Sequence, residues 1–343
     1  MLPKFRRGFA IGIDLGTANT LISCGDRILI NEPSIVAVDG LGSQLLASGE
    51  EAMLMHEKTN SMSIRTIKPL RDGVIADFTA AEMMIKSFVN KVRKQEKQLF
   101  FQSFTMLFCV PTGITEVEKR AIRDSGTNAG ASEVLIMYEP MAAAVGSGLE
   151  VQSPEGVMMV DIGGGTTGIA IISLSGIVLE QSVRIAGNSF NQDIIDFLKK
   201  QYNLLVGERT AERVKKEIGA VAYDLEDSEQ ELDIVGRDLL TGIPRSIRLG
   251  YQDIASALDK SISRIEEAII KVLENAPPEL ASDIHINGIF LSGGGALLRG
   301  IQKRFAGKTG LAIHRVEDPL GAVVKGTSLV LRHRKKYASL LIE

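Results

Sequence analysis

Three short glycine-bearing turns carry the residues of this 343-residue chain best suited to chemistry. They are "DLGTAN" at 14–19, "DIGGGTT" at 161–167 and "SGGGALL" at 292–298, and each follows an apolar run that reads as a strand. Glycine lets backbone N–H groups approach an anion closely and form a nest around it. Thr17, Asn19, Thr166 and Thr167 add side-chain donors. Asp14 and Asp161 open the first two turns and would repel phosphate on their own. Their natural use is to hold Mg²⁺ through its waters, because that ion keeps much of its hydration shell. Two such hairpins could clamp a triphosphate from both sides. The third turn lacks acids and suits the nucleoside end.

These turns need strands to carry them, since ligands in α/β sheets collect beyond the carboxyl ends of strands. "FAIGIDLG" followed by "NTLISC" reads as a strand–turn–strand hairpin. "MVDIGGGTTGIAI" repeats its grammar of apolar strand, Asp, glycine turn, Thr and apolar strand, after the punctuation "SPEG" at 153–156. The repetition suggests two pseudo-symmetric lobes. "TAAEMMIKSFVNKVRK" places Met84, Phe88 and Val92 on one helical face. "FTMLFCVP" is a buried strand stopped by Pro111, "EVEKRAIRDSGTNAG" a polar helix closed by glycine, and "EVLIMY" a strand leading into a helix opened by Pro140. Helices are also expected at "NQDIIDFLKKQY", "TAERVKKEIGAVA" and "YQDIASALDKSISRIEEAIIKVLENA", the last stopped by Pro277 and Pro278. "GIFLSGGGALLRG" reads as a strand breaking into a helix, and "DLEDSEQEL" as a strand-poor, solvated stretch. The basic C-terminal "LRHRKKYASLLIE" is left open between a helix turn and a loosely bound tail. Strands alternating with helices give an α/β protein.

Composition narrows the function. A net charge of -3 argues against nucleic acid as a partner, since phosphate-backbone affinity needs clustered Lys and Arg. Cys24 and Cys109 lie in apolar stretches and read as small core residues in a reducing compartment. The N-terminal "MLPKFRRGFA" lacks the apolar core of a signal peptide, and no apolar run reaches the roughly 18 to 20 residues that span a bilayer. There is no G-x-x-x-x-G-K-[ST] loop and no G-x-G-x-x-G opening a first βαβ unit. His56, His285, His314 and His333 are scattered, which disfavours a histidine metal cluster.

"GIDLGTANT", "VPTGIT", "EPMAAAVGSG", "DIGGGTT", "GERTAERVKKEIG", "PPELASDI" and "LSGGGALLRG" together resemble the actin-like ATPases, most closely the bacterial MreB family, in unbroken order from about Phe9 to Val330. The resemblance implies an actin-like two-lobed fold of duplicated ribonuclease-H-like domains, each lobe carrying a smaller inserted subdomain. It divides the chain into subdomain IA (1–32, 67–146 and 320–343), IB (33–66), IIA (147–181 and 245–319) and IIB (182–244). ATP and Mg²⁺ would bind between the lobes. Asp14, Gly16, Thr17, Ala18 and Asn19 would form the first phosphate loop; Asp161, Gly163, Gly164, Gly165 and Thr166 the second. Asp14 and Asp161 are the Mg²⁺ residues, acting through water. Ala211, Glu212, Arg213, Val214 and nearby Lys216 would flank the adenosine, with Gly293, Gly294, Gly295 and Ala296 on the other wall. Glu139 takes the position that orients the attacking water, supported by Thr167.

The chain departs from the family pattern at Gly168, where an acid usually follows the two threonines, and at Asn188 and Asn191. Gly168 supplies no carboxylate beside the γ-phosphate, so slowed hydrolysis is expected. The resemblance also implies a weak ATPase coupled to self-assembly into protofilaments paired antiparallel, at the inner face of the cell membrane, alongside other cell-shape proteins. Leu99, Phe100 and Phe101 follow the basic run "KVRKQEK" and would insert into the bilayer, helped by the basic-apolar N-terminus. The competing reading is a sugar or acetate kinase of the same superfamily. That enzyme needs a catalytic carboxylate opposite the γ-phosphate, and no Asp stands in a suitable turn.

Overall fold

The computed structural model describes residues 9–56, 58, 63–96, 103–225 and 231–342. They form two compact units. One draws on Met1–Ser153, Leu174–Ile177 and Gly321–Glu343, the other on Pro154–Ser173 and Val178–Leu320.

The first unit is built on a five-stranded sheet in the order Glu133–Tyr138, Phe104–Val110, Phe9–Leu15, Asn19–Cys24, Arg27–Pro33. The first three strands run parallel, and the predicted hairpin closes antiparallel with Leu15 opposite Thr20. Phe104–Val110 is nearly all apolar and buried, as a strand covered on both faces must be. The helix Phe78–Gln95 lays Met84, Phe88 and Val92, each fully buried, into this core. Its first turn is capped by Asp77, whose carboxylate accepts from the Ala80 N–H. Glu116–Asn128 starts at a capping box between Thr115 and Glu118, and the predicted glycine follows its end, with Gly130 at φ +97°. A three-stranded sheet of Leu45–Ser48, Val36–Asp39 and Ile64–Ile67 completes the unit.

The C-terminal segment is anchored, which the sequence left open. Arg334 pairs with Glu133, Leu340 is buried, and the Ile342 N–H donates to the Ile136 carbonyl on the edge strand of the sheet.

The second unit repeats the plan. Its five-stranded sheet runs Ile313–Arg315, Ile289–Ser292, Val157–Ile162, Thr167–Ser173, Gly176–Val183. Again two parallel pairings lead to an antiparallel hairpin. Asp14 stands beside Leu21 and Cys109 in one sheet, and Asp161 beside Gly168 and Ser292 in the other. The two aspartates are therefore equivalent, as are Leu21 and Gly168. Helices Gly187–Tyr202 and Tyr251–Glu274 cover the core through Phe190, Ile194, Leu258, Ile262, Ile265 and Ile269, all fully buried.

Two local expectations change. The acidic stretch runs into a strand, Glu231–Asp238, pairing with Leu204–Leu205 and Pro244–Gly250. Leu232 and Ile234 carry the inward face, alternating with the exposed Glu231, Asp233 and Val235. The third glycine turn becomes a 3₁₀ segment, Gly294–Leu297, and the α-helix waits until Ile301, after Gly300 at φ +80°.

Candidate phosphate-binding loops

The first loop leaves the carboxyl end of Phe9–Leu15. Its tightness fixes the glycine, because a Cβ on Gly16 would stand 2.5 Å from the Asn19 carbonyl oxygen. Thr17 is buried and its Oγ1 accepts from the Gly73 N–H at 3.0 Å, which leaves its own proton to donate elsewhere. Ala18 and Asn19 are exposed. Ser34 backs the loop. Its Oγ donates to the Gly16 carbonyl at 2.6 Å and its N–H to the Ala18 carbonyl at 2.9 Å. Glu139 begins the helix Glu139–Gly146 directly after Glu133–Tyr138. One strand separates it from Asp14, and both leave the same carboxyl edge of the parallel strands.

The second loop closes with Gly163 N–H donating to the Thr166 carbonyl at 3.0 Å. Its carbonyls are tied from behind by a helix start: Gly187 N–H donates to Gly163 and Asn188 N–H to Gly164, at 3.0 and 2.7 Å. Thr166 and Thr167 are buried, and the Thr167 hydroxyl donates to the Ile185 carbonyl at 2.6 Å. The third turn is wedged against the second. A Cβ on Gly293, at φ +79°, would stand 2.3 Å from the Ile162 carbonyl oxygen, and one on Gly295 2.2 Å from Ile162 Cγ2. Gly294 follows in the same 3₁₀ segment, and Ala296 is fully buried.

Asp161 is the buried acid at the start of the second loop. It is 7% exposed and its Oδ1 has no hydrogen-bond partner among the described residues. Burial pushes its carboxyl up to about 6, with Ser292 opposing the shift. An ionised oxygen buried without a partner is costly and calls for a cation or its water. Mg²⁺ fits this environment. Among the described residues no group of three or more His, Cys, Asp or Glu converges, and Mg²⁺ is typically held by one or two carboxylates and its own waters.

The helix Glu208–Ile218 turns Ala211 and Val214 inward. Beside them Glu212 Oε2 accepts from Lys215 at 2.7 Å and from Asn191 at 2.8 Å. Burial raises the Glu212 carboxyl, but the charges of Lys215 and Lys216 and the hydrogen bonds from Lys215 and Asn191 outweigh it and hold the group at about 2. Lys215 also donates to the Gly187 carbonyl at 2.9 Å, linking this helix to the residue that ties the second loop. Lys216 is exposed and reaches Glu212 Oε1 at 3.2 Å, and Arg213 reaches the Asp233 carbonyl. Lys215 and Ser34 were missed by reading the sequence. Leu99, Phe100 and Phe101 lie outside the described residues.

A duplicated sheet, each copy ending its central strand in an aspartate and a glycine-bearing turn, is the actin-like fold. The MreB/Mbl protein family model matches residues 8–339. The cell shape-determining protein MreB of Escherichia coli K12 is 46% identical over 333 residues, covering 95% of this chain and 94% of that protein. The crystal structure of MreB5 of Spiroplasma citri bound to ADP superposes with a TM-score of 0.89 at 37% identity, covering 96% of this chain and 98% of the other. Its counterpart bound to AMPPNP gives 0.90, also at 37% identity, covering 98% and 99%. The chain belongs to the MreB/Mbl family of actin-like cytoskeletal proteins.

Proposed function

We propose that the chain binds ATP with Mg²⁺, hydrolyses it slowly, and assembles into filaments at the inner face of the cell membrane that organise cell shape. Nucleotide bound to MreB5 and the cell-shape role named for the E. coli relative support this reading. The observation that carries it is Asp161, a buried carboxylate with an unpartnered oxygen beneath a loop whose Gly163 and Gly164 carbonyls are already engaged. With those carbonyls held from behind, and the Gly163 N–H closing the turn on Thr166, the loop's later N–H groups are the donors offered to phosphate.

The residues divide the work. The loop N–H groups and Thr17 hold phosphate oxygens, while Asp14 and Asp161 hold the hydrated cation. Mg²⁺, when bound, neutralises charge developing on the phosphoryl oxygens. Glu139 orients the attacking water. Thr167 gives its proton to Ile185 and presents its oxygen only as an acceptor. Gly168 stands opposite Asp161 without a carboxylate, so hydrolysis is slow. Leu99, Phe100 and Phe101 carry the membrane contact, protofilaments pair antiparallel, and the four subdomains keep the boundaries the family implies.

Phosphate release by wild type and Glu139→Ala tests the reaction, with Mg-ATP binding measured separately. Loss of release with binding retained is expected. Equal release from both proteins would remove Glu139 from the mechanism.

A further inference from the structure

Equivalent positions in the two hairpins are held from behind by different means. The Gly163 carbonyl, two residues past Asp161, accepts from a backbone N–H, that of Gly187. The Gly16 carbonyl, two residues past Asp14, accepts instead from a side chain, the Ser34 hydroxyl. Ser34 is 2% exposed and sits 2.9 Å from Thr20 Oγ1, itself 1% exposed. A hydroxyl has one proton, and Ser34 gives its proton to Gly16 at 2.6 Å. Thr20 is therefore the donor to Ser34, and the direction of the relay is set: Thr20 to Ser34 to the Gly16 carbonyl.

A peptide unit is planar and trans, so its carbonyl and the following N–H point in opposite directions. Pinning the Gly16 carbonyl on Ser34 turns the Thr17 N–H away from Ser34. The Ser34 backbone N–H does the same for the Ala18 carbonyl. We infer that Ser34, oriented by Thr20, is a positioning residue for the phosphate oxygens of a nucleoside triphosphate, acting through the peptide planes of the first loop. This rests on the proposed binding of ATP. Without the Ser34 hydroxyl the Gly16 carbonyl loses its tether and is free to swing toward the anion, which it repels. The second loop has no such dependence, because backbone amides tether it.

The test uses the full chain with Mg-ATP and compares wild type, Ser34→Ala, Ser34→Thr, Thr20→Val and the Ser34→Ala/Thr20→Val double variant. Dissociation constants, kcat and KM for phosphate release, and nucleotide-free melting are measured. Ser34→Ala is expected to weaken Mg-ATP binding about tenfold, or about 1.4 kcal/mol, because the half-buried Gly16 carbonyl loses its side-chain donor. Its KM should rise more than its kcat falls, and Ser34→Thr should recover most of the loss. Thr20→Val should weaken binding about threefold, and the double variant no more than Ser34→Ala, because Thr20 acts only through Ser34. A folded Ser34→Ala protein that binds Mg-ATP as wild type does overturns the inference. Should Ser34→Ala fail to fold, unchanged binding by Thr20→Val overturns it equally. Wild-type protein that does not bind Mg-ATP overturns the functional reading, and this inference with it.

Discussion

Asp161→Asn keeps the shape of the side chain and removes its charge. In nucleotide-free, metal-free wild type the carboxyl is raised from 3.8 to about 6, with burial as the leading cause. A shift of that size means the ionised group destabilises the folded chain by about 3 kcal/mol, at about 1.36 kcal/mol per pKa unit. The folded state binds the proton more tightly than the unfolded state. The penalty is therefore complete above pH 6, shrinks as pH falls through 6, and is gone below 3.8. By pH 5 about 1.4 kcal/mol of it has been lifted. Asparagine does not titrate, so whatever its amide costs in that site is the same at every pH. The measurement is thermal melting of both proteins in EDTA between pH 8 and pH 5. Wild type should gain about 3–6 °C relative to Asp161→Asn over that range, at about 2–4 °C per kcal/mol for a unit of this size. Saturating Mg-ATP at pH 8 should then stabilise wild type far more than the variant. A wild-type minus variant difference that stays constant from pH 8 to pH 5 would refute the buried carboxylate with its unpartnered oxygen.

Further outcomes are expected elsewhere. Gly168→Glu places a second acid directly across the hairpin from Asp161. It should lower nucleotide-free stability by about 0.2–1 kcal/mol, as like charges do when opposed on one face of a strand pair, and speed phosphate release. Unchanged release after Gly168→Glu would end the case for Gly168 as the brake. Replacing Phe100 and Phe101 together by Ser should abolish co-sedimentation with anionic liposomes, and full binding by that variant would exclude the loop from membrane contact. Glu212→Gln removes an acid held at about 2, mainly by Lys215 against the cost of burial. Because the folded pKa is depressed, the stability it supplies is present above about pH 4.5 and is lost as pH falls toward 2. Wild type and Glu212→Gln melting curves should therefore converge on acidification, and curves that run parallel would contradict the ion pair.

Much of the architecture was legible because it follows from period and punctuation. The hairpins at Asp14 and Asp161 announced themselves as apolar runs broken by acid and glycine, and both formed in register. Met84, Phe88 and Val92 marked a helix face that is fully buried. Ser34 was invisible for a different reason. Its partner lies 18 residues away, and a single hydroxyl in "EPSIVAV" has no pattern to betray it. Lys215 could have been found. Ala211, Val214 and Ile218 define the inward face, and a residue four after Ala211 returns to that side while the next one leaves it. Family motif alone pointed to Lys216. The strand Glu231–Asp238 starts with a short alternation, Glu231 to Ile234, that is overshadowed by the run of acids and polar residues at 224–231 directly before it. The anchoring of the C-terminal segment depends on Glu133 and Ile136, some 200 residues upstream, and no local pattern reports so distant a contact.

The central claim is a filament driven by nucleotide. Its most direct test is sedimentation of one sample with Mg-ATP and without nucleotide, with released phosphate counted in parallel. The account predicts pelleting with Mg-ATP accompanied by slow release. Protein that stays in the supernatant while a small hydroxylated or carboxylated molecule stimulates release would contradict it and point to a kinase.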